Sequence, residues 1–426
     1  MKMIKKISLV ALAVTLLVLN GCGGSGSGKL VVWSFTDELK DMITKFDAEK
    51  ALDVKIDYSL TPTDQFPNRL DPVLSAGSGA PDVFALESAF VRKYVEAGPD
   101  LLLDLTDIAN EVRANVLSYP IDVATYEGKV YAMAWQATPG ALFYKRSLAK
   151  QYLGTDDPDQ VQAYFNNWDN YLATARQMNQ QSGGKAVVLG AVDELLMPFK
   201  ASRTAPWVVD GQLNIDPAML RYMEMAKTLR DGGLDGRTVT WSESWFAGMR
   251  GELVNEMGTQ LDVFSVLLPT WGLHYVLKTN APDTAGDWAM IPGPTNWFWG
   301  GTWIAAYAGT KQPEMAKNFI RLLTTNETNL ESWALDTGDF LNNMNIVNRI
   351  KDNFTEPFLG GQNHYAAFAQ MAPGIDGSMI QGTDQAIEAL FMETLTQYIN
   401  NEATLDGALA TLRTQVQAQL GLSARN

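Results

Sequence analysis

The chain has 426 residues, of which 46% are hydrophobic and 19% charged, so it has room for two or three domains and the composition of an ordinary globular protein. Its formal net charge of -15 at pH 7 argues against a nucleic-acid partner, because binding to phosphates needs a basic patch. Lysine and arginine form a local cluster only at the N-terminus.

The N-terminus has the pattern of a secretory signal sequence. Three lysines within residues 1–6 precede an almost wholly apolar stretch at 7–19, which is too short to span a bilayer comfortably. Leu19-Asn20-Gly21-Cys22 follows and resembles a bacterial lipobox, in which the cysteine is diacylated and becomes the first residue of the mature chain. We expect a signal peptide at 1–21 and a lipidated, flexible Gly/Ser tether at 22–28.

The solitary cysteine fits this interpretation. Cys22 is the only cysteine of the chain, so it cannot form an internal disulfide, and a lipid anchor explains both its position and its solitude. The alternative is an ordinary signal peptide followed by an incidental cysteine.

Strand and helix patterns alternate after the tether. Short runs of β-prone apolar residues and stretches with helical apolar spacing predict, in order, a strand at 30–33, a helix with Leu39, Met42, Ile43 and Phe46 on its apolar face, a strand at 54–58, a helix at 65–75 and a strand at 83–86. This alternation predicts a mostly parallel sheet. Ligands bind outside the carboxyl ends of strands in such sheets, so residues 34–38 and 87–88 are candidates for a site.

The pattern then restarts as a second α/β unit. Two extended runs at 130–135 and 141–145, joined through 136–140, indicate a crossing between lobes. Beyond it we predict a helix at 168–178, a strand at 186–190, a helix at 217–229, strands at 263–268, 288–291 and 304–307, a helix starting at Pro313 and two C-terminal amphipathic helices.

Residues 296–303, Asn-Trp-Phe-Trp-Gly-Gly-Thr-Trp, hold three tryptophans around a Gly-Gly pair. Glycine lets the backbone turn sharply, so we expect these indoles to be presented at a bend. A flat aromatic platform suits stacking on a flat ligand face, whereas tryptophan is also a common core residue. Trp299, beside the glycines, is the strongest platform candidate, and Trp303 enters the next strand and fits the core as well.

Taken together, these features resemble the family 1 extracellular solute-binding proteins, the carbohydrate-binding components of bacterial ABC importers, which are related to maltose-binding protein. The resemblance covers nearly the whole mature chain and depends on the order of its motifs. Those motifs are the lipobox at Cys22, Trp33-Ser34-Phe35, Gly79-Ala80-Pro81-Asp82-Val83, the turn at 126–131 with Tyr144-Lys145 after it, 284–288 leading to 299–303, the Pro313 helix and 358–363. The chain departs from many members at 338–343, where they have a Gly and a Pro.

The resemblance implies an α/β fold that forms a two-lobe, periplasmic-binding-protein-like clamp with hinge crossings. We expect lobe I at 29–137 plus about 301–345 and lobe II at 138–300 plus about 346–426. The implied function is capture of a sugar or oligosaccharide outside the cytoplasm and delivery to the transmembrane subunits of an ABC permease. No catalysis, cofactor, metal or nucleic acid is expected, and the lipid anchor is the only expected membrane contact.

Carbohydrates have flat CH faces and rings of hydroxyls, so their sites need aromatic platforms with planar polar partners. The predicted ligand-binding residues near strand ends are Trp33, Phe35, Asp37, Glu87, Trp135, Gln136, Trp271, Trp297, Trp299, Trp303, Asp339, Asn342, Asn343, Gln362 and Asn363. Trp288 opens an apolar strand and fits the core, and the i, i+4 spacing of Trp241 and Trp245 is typical of helix-face packing.

Two rival functions remain open at this stage. Asp37 and Glu87 could form the carboxylate pair of a glycoside hydrolase, although two carboxylates at strand ends are expected by chance in so acidic a chain. The same fold could instead bind a non-sugar solute such as a polyamine or a peptide. His274 and His364 have no neighbouring ligands at metal spacing and are expected to be ordinary surface or core residues.

Overall fold

The computed structural model describes residues 28–425, so the predicted signal peptide, Cys22 and most of the tether lie outside the described residues. The strands, in chain order, are β1 (Lys29–Ser34), β2 (Lys55–Leu60), β3 (Val83–Glu87), β4 (Thr125–Tyr126), β5 (Lys129–Val130), β6 (Met133–Ala134), β7 (Gly140–Lys145), β8 (Ala186–Leu189), β9 (Val208–Val209), β10 (Gln212–Leu213), β11 (Asp262–Pro269), β12 (Trp288–Ile291) and β13 (Thr302–Ala306).

Helices alternate with these strands along the chain. They are α1 (Glu38–Lys45), α2 (Ala48–Leu52), α3 (Phe66–Ala76), α4 (Val91–Val95), α5 (Thr106–Val112), α6 (Ser118–Val123), α7 (Arg146–Leu153), α8 (Pro158–Phe165), α9 (Trp168–Gln181), α10 (Leu196–Ala201), α11 (Pro217–Asp231), α12 (Glu243–Arg250), α13 (Lys278–Asn280), α14 (Pro313–Thr325), α15 (Glu327–Thr337), α16 (Met344–Ile350), α17 (His364–Met371), α18 (Asp384–Ile399) and α19 (Leu405–Leu420). A π-helical turn at Leu273–Leu277 leads into α13.

The first sheet has the strand order β2-β1-β3-β13-β6. Strand β1 pairs in parallel with β2 and β3, which confirms the predicted parallel arrangement for these strands. Strand β13 is antiparallel, because it enters the sheet at the carboxyl end of β3, where Thr302 lies opposite Glu87. The carboxyl ends of β1 and β3 and the start of β13 therefore meet at one edge of the sheet.

The second sheet has the order β12-β7-β11-β8 and is mixed. Strand β7 runs antiparallel to both of its neighbours, β11 and β12, and only β11 and β8 pair in parallel. These strands are buried almost throughout, in keeping with their continuous apolar sequences; all six residues of β7 are buried. Helices α18 and α19 pack on the core of this sheet through residues such as Ile387 and Leu412.

Three chain segments run side by side where the two sheets meet. The segment 135–139 links β6 of the first sheet to β7 of the second, as the sequence predicted, and 292–301 links β12 back to β13. The Gly140 amide donates to the Trp297 carbonyl at 2.8 Å, and the Ala137 amide donates to the Phe340 carbonyl at 2.8 Å. These backbone hydrogen bonds tie the three segments, 135–140, 297–301 and 339–342, into one ribbon, which we call the crossing ribbon.

The helix that starts at Pro313 has the buried face that the sequence predicted, with Ala316, Phe319, Ile320 and Leu323 in the core. Predicted boundaries elsewhere differ by a few residues. The strand predicted at 130–135 is divided into β5 and β6, because the backbone leaves the pairing with β4 before it joins β13.

Segment 344–375 lies at the junction between the two sheets. Helix α16 packs against α15, and Phe340 packs against Tyr365 at a ring-centroid distance of 4.9 Å. Gln362, in contrast, makes two hydrogen bonds to the backbone of Met290 in β12. The segment thus contacts helix α15, the crossing ribbon at Phe340 and strand β12 of the second sheet.

Candidate functional site

A cleft with a cavity volume of about 460 Å³ lies at the carboxyl edge of the first sheet. Its other side is formed by residues before and after β11 of the second sheet, among them Trp241 and Trp271. Its lining, which we call the cleft throughout, consists of Phe35, Thr36, Glu38, Thr63, Glu87, Gln136, Trp241, Trp271, Tyr275, Trp299, Gly300, Gly301 and Thr302. Five of the residues predicted from the sequence are brought together here: Phe35, Glu87, Gln136, Trp271 and Trp299. The position agrees with the rule that ligands bind outside strand carboxyl ends.

Three tryptophans form one wall of the cleft. Trp241 and Trp271 stack with an interplanar angle of 9° and a centroid distance of 6.1 Å. Trp299 meets Trp271 edge-on at 5.2 Å and Trp241 edge-on at 6.3 Å. The Trp271 indole N–H donates to the carbonyl oxygen of Trp299 at 2.9 Å, which fixes the orientation of its ring. We refer to these three residues as the aromatic wall.

Gly300 allows the aromatic wall to close up. Its φ is +75°, and a Cβ at this position would lie 2.5 Å from the indole nitrogen of Trp271. Only glycine satisfies both constraints, because a side chain here would be strained and would also collide with the ring. The Gly-Gly pair thus forms the predicted bend, and Trp299 at this bend lines the cleft.

Trp241 lines the cleft although its i, i+4 spacing to Trp245 predicts helix-face packing. Helix α12 begins only at Glu243, with Ser242 as the N-cap whose hydroxyl accepts from the Trp245 amide at 3.2 Å. Trp241 lies before the cap with φ +67° and is 51% exposed, while Trp245 is buried and donates to Glu194. The serine preferred at helix N-caps was the available signal.

The floor of the cleft is polar and acidic. Gln136 donates to the Glu38 carboxylate at 3.3 Å and lies 3.4 Å from the Thr302 hydroxyl. Tyr275 donates to the other oxygen of Glu38 at 3.0 Å, and this bond joins the two sides of the cleft. Removal from water, together with the nearby Asp339 carboxylate, raises the pKa of Glu38.

Glu87 is the second carboxylate of the floor. It accepts from the Ala89 amide at 2.7 Å and from the Ser88 hydroxyl at 2.8 Å. Burial raises the pKa of Glu87 despite these hydrogen bonds. Asp37, its predicted companion, is exposed and does not line the cleft, because α1 starts at the next residue and turns Glu38 inward instead.

Trp33 lies outside the cleft lining. Its ring is covered by the guanidinium of Arg69, 3.9 Å from the ring centroid, so that face is already occupied. Phe35, two residues further on, lines the cleft and packs edge-on against Phe66 and Phe90.

Trp135, Trp297 and Trp303 are buried in the core and are not part of the cleft. Their positions have specific causes. The indole of Trp135 donates to Asp339 at 2.9 Å, and that of Trp303 donates to the Pro120 carbonyl at 2.8 Å. The ring of Trp297 occupies the space over Gly140, where any Cβ would overlap it.

The four predicted amides other than Gln136 form hydrogen bonds within the protein. Asn343 and Asn363 are N-caps of α16 and α17, and their side chains accept from backbone amides. Asn342 is buried and donates to the Ala134 carbonyl at 2.7 Å, and Gln362 pairs with Met290 as described above. None of the four lines the cleft, because helix capping and backbone pairing use their polar atoms.

Asp339 lies behind the cleft and not on it. Its carboxylate accepts from Trp135 and from Trp333, each at 2.9 Å, and burial raises its pKa. It lines a separate crevice, which adjoins the cleft at Glu38 and Tyr275.

Residues 28–425 contain neither a metal-binding cluster nor a membrane-spanning helix. No group of three or more His, Cys, Asp or Glu side chains in this range is placed to hold a metal ion. His274 and His364 lie near each other with ring centroids 6.4 Å apart. In the same range no helix has the length and apolar character that a membrane crossing requires.

Comparison with known proteins adds a family assignment. Residues 41–354 match the sequence profile described as "Bacterial extracellular solute-binding protein". The chain is 22% identical over 445 residues to an arabinooligosaccharide-binding protein of Bacillus subtilis, covering 96% of each chain. It is 22% identical over 407 residues to a lactose-binding protein of Rhizobium radiobacter, covering 90% of this chain and 92% of the relative.

Solved structures share the fold. An extracellular solute-binding protein of family 1 superimposes with a TM-score of 0.79 at 19% identity, over 92% of this chain and 99% of the other. A Bifidobacterium animalis ABC-transporter-associated binding protein, solved with β-1,6-galactobiose, gives 0.71 at 22% identity, over 94% and 100%. The sugar-binding protein MalE of Xanthomonas citri gives 0.73 at 14%, over 92% and 97%. These likenesses show the two-lobe fold of periplasmic sugar-binding proteins.

Proposed function

We propose, since this chain belongs to the bacterial extracellular solute-binding protein family, that it captures a sugar or oligosaccharide outside the cytoplasm and delivers it to the transmembrane subunits of an ABC import permease. Members of this family bind solutes and are not enzymes. Two distant relatives are named for binding arabinooligosaccharides and lactose, which supports a saccharide as the ligand class.

The observation that carries this proposal is the aromatic wall above an acidic floor. Trp241, Trp271 and Trp299 present aromatic surface on which the CH face of a pyranose can stack. Opposite them, Glu87 and Gln136 offer planar acceptors and donors for hydroxyl groups. A cavity of about 460 Å³ falls within the usual range for sites that bury small ligands.

We propose that eight residues contact the ligand. Five of them were predicted as ligand-binding residues from the sequence, and three line the cleft in the structure without having been predicted as such. The five are Phe35, Glu87, Gln136, Trp271 and Trp299, and the three are Glu38, Trp241 and Tyr275. Trp33, Asp37, Trp135, Trp297, Trp303, Asp339, Asn342, Asn343, Gln362 and Asn363 act outside direct ligand contact in this arrangement, because each is exposed elsewhere, covered, or engaged within the protein.

We also propose that ligand binding closes the two lobes, with lobe I at 29–137 plus about 301–345 and lobe II at 138–300 plus about 346–426. The crossing ribbon supplies the hinge, in keeping with hinge closure as a common motion of such proteins. A ligand that contacts Glu87 on one side and Trp271 on the other gains more in the closed state than in the open one.

For the N-terminus we propose diacylation of Cys22 after removal of residues 1–21. The tether 22–28 then holds the protein at the outer face of a bacterial membrane, and the lipid is its only membrane contact. The sequence pattern described above is the support for this step.

A thermal-shift screen over mono- and oligosaccharides, polyamines and peptides tests the ligand class. A ligand that binds only the native state must raise the melting temperature, so we expect one or more saccharides to do so. A shift by peptides or polyamines alone would contradict the saccharide assignment, and turnover of a bound oligosaccharide would contradict the non-enzymatic role.

A further inference from the structure

A second cavity of about 300 Å³ adjoins the cleft on the far side of the Tyr275–Glu38 hydrogen bond. We call it the acidic crevice. It is lined by Glu38, Asp41, Thr270, Trp271, His274, Tyr275, Thr279, Trp333, Thr337, Gly338 and Asp339. Glu38, Trp271 and Tyr275 belong to both cavities, so one ligand can reach from the cleft into the crevice.

The lining of the crevice is acidic. Three carboxylates line it, and no Lys or Arg does so among the described residues. Two lysines of neighbouring segments are paired with other carboxylates: Lys45 with Asp336, and Lys278 with Glu356 at 2.8 Å. Helix α15 also ends here, at Thr337, and the C-terminus of a helix favours positive charge.

Its walls are aromatic. Trp271, Tyr275 and Trp333 line the crevice together with the carboxylates. A protonated amine is attracted to the faces of aromatic rings as well as to carboxylates, and aromatic cages are a known way to bind ammonium groups.

Two buried polar atoms in the lining lack a hydrogen-bond partner within residues 28–425. They are the hydroxyl of Thr270, a residue only 6% exposed, and Nε2 of His274. Buried polar groups are nearly always paired, so an unpaired hydroxyl in the lining of a cavity is a candidate partner for a ligand. Burial lowers the pKa of His274 to about 4, so its ring is neutral at pH 7 and does not repel a cation.

We propose that the acidic crevice binds an organic ammonium group, carried either by an amino sugar whose other ring occupies the cleft or by a free diamine. The first source rests on the proposed function, and the second does not. No three-ligand metal arrangement exists among the described residues, so an organic cation suits the aromatic walls better than a metal ion.

The proposal predicts that protons are released when the ligand binds. Burial raises the pKa of Glu38 to about 8, with the charge of Asp339 adding to the shift, and burial raises the pKa of Asp339 to about 6. Without a cation these carboxyl groups therefore hold protons at higher pH than free carboxyl groups do. Asp41 on the same helix as Glu38 and Asp339 at the end of α15 add negative charge, while Tyr275 and Gln136 are neutral. An ammonium group favours the ionised carboxylates, so its binding must release protons and strengthen as the pH rises.

Isothermal titration calorimetry on the full mature chain tests this, in two buffers of different ionisation enthalpy. The probes are putrescine, a glucosamine disaccharide with free amino groups, and its N-acetylated counterpart. The variant is Asp41→Asn, because Asp41 is exposed and lines the crevice but not the cleft. Asp47→Asn is the matched control, an exposed aspartate just beyond the same helix that lines neither cavity.

We expect at least one amine probe to bind with proton release, and Asp41→Asn to weaken it about two- to five-fold while Asp47→Asn leaves it unchanged, as suits an exposed charge pair. Binding of putrescine assigns the free diamine, and binding of the amino disaccharide alone assigns the amino sugar. If no amine probe binds with proton release, or if Asp41→Asn has no effect, the proposal is wrong. Binding of neutral saccharides in that case would leave the proposed function intact.

Discussion

Replacing Trp241 by alanine separates ligand binding from folding more cleanly than any other change in the aromatic wall. Trp241 is 51% exposed and lies in a loop before α12, so few core contacts depend on it. Its ring nevertheless stacks on Trp271 and faces the cleft. We expect the Trp241→Ala protein to fold with nearly unchanged stability and to bind its saccharide more weakly.

The size of the effect follows from the surface that a ligand can cover. A tryptophan side chain buries roughly 200 Å² when fully covered, and about half of this is free here. At about 25 cal/mol per Å², ~100 Å² corresponds to ~2.5 kcal/mol as an upper bound. The alanine side chain keeps a little of this contact, and a ligand covers only one face of the ring. We therefore expect a loss of about 1–2 kcal/mol of binding free energy, or a five- to thirty-fold higher Kd.

Calorimetry of the wild type and the variant with the saccharide found in the screen gives the two Kd values. Met257→Ala is the control, since Met257 is 86% exposed and does not line the cleft. Urea unfolding gives the stability of each protein. An unchanged Kd for Trp241→Ala, or a loss of stability large enough to explain the weaker binding, would refute the role assigned to this ring.

Three further predictions concern other parts of the molecule. Gly300→Ala should lower the free energy of unfolding by about 1–2 kcal/mol and weaken binding, because the new Cβ displaces Trp271. Gly286→Ala is the control: Gly286 has φ +86° and no atom within 4 Å of an added Cβ, so this change should cost only the backbone strain. Equal effects of the two changes in urea unfolding would contradict this prediction. Burial lowers the pKa of His364 to about 4, so the unfolded chain takes up protons first, and stability should fall as the pH drops from about 6.5 to about 4. His364→Phe should remove part of that loss, and an unchanged pH slope in urea unfolding would contradict it. Cys22→Ser should abolish labelling by radioactive palmitate and release the protein from membranes, and continued labelling would rule out Cys22 as the lipidated residue.

The architecture could be predicted from the sequence because alternating strand and helix patterns depend on local apolar spacing. The strand-end rule then pointed to candidate residues, of which Phe35, Glu87, Gln136, Trp271 and Trp299 line one cleft. Tertiary pairing of strands, such as the antiparallel return of β13, required the structure.

The direction of each side chain at the cleft could not be predicted, because adjacent residues point to different sides of the backbone. Trp135 and Gln136 are adjacent in an extended segment, where successive side chains point to opposite faces, and only Gln136 reaches the cleft. Asp37 and Glu38 differ likewise at the start of α1. The amides of Asn343 and Asn363 were indistinguishable in sequence from ligand-binding amides until helix boundaries showed them to be caps.

A crystal structure of the protein with the saccharide that stabilises it most tests the central claim directly. We predict a sugar ring stacked on Trp241, Trp271 or Trp299, with its hydroxyls bonded to Glu87 and Gln136 and both lobes in contact with the ligand. A saccharide bound away from these residues, or to one lobe only, would contradict it.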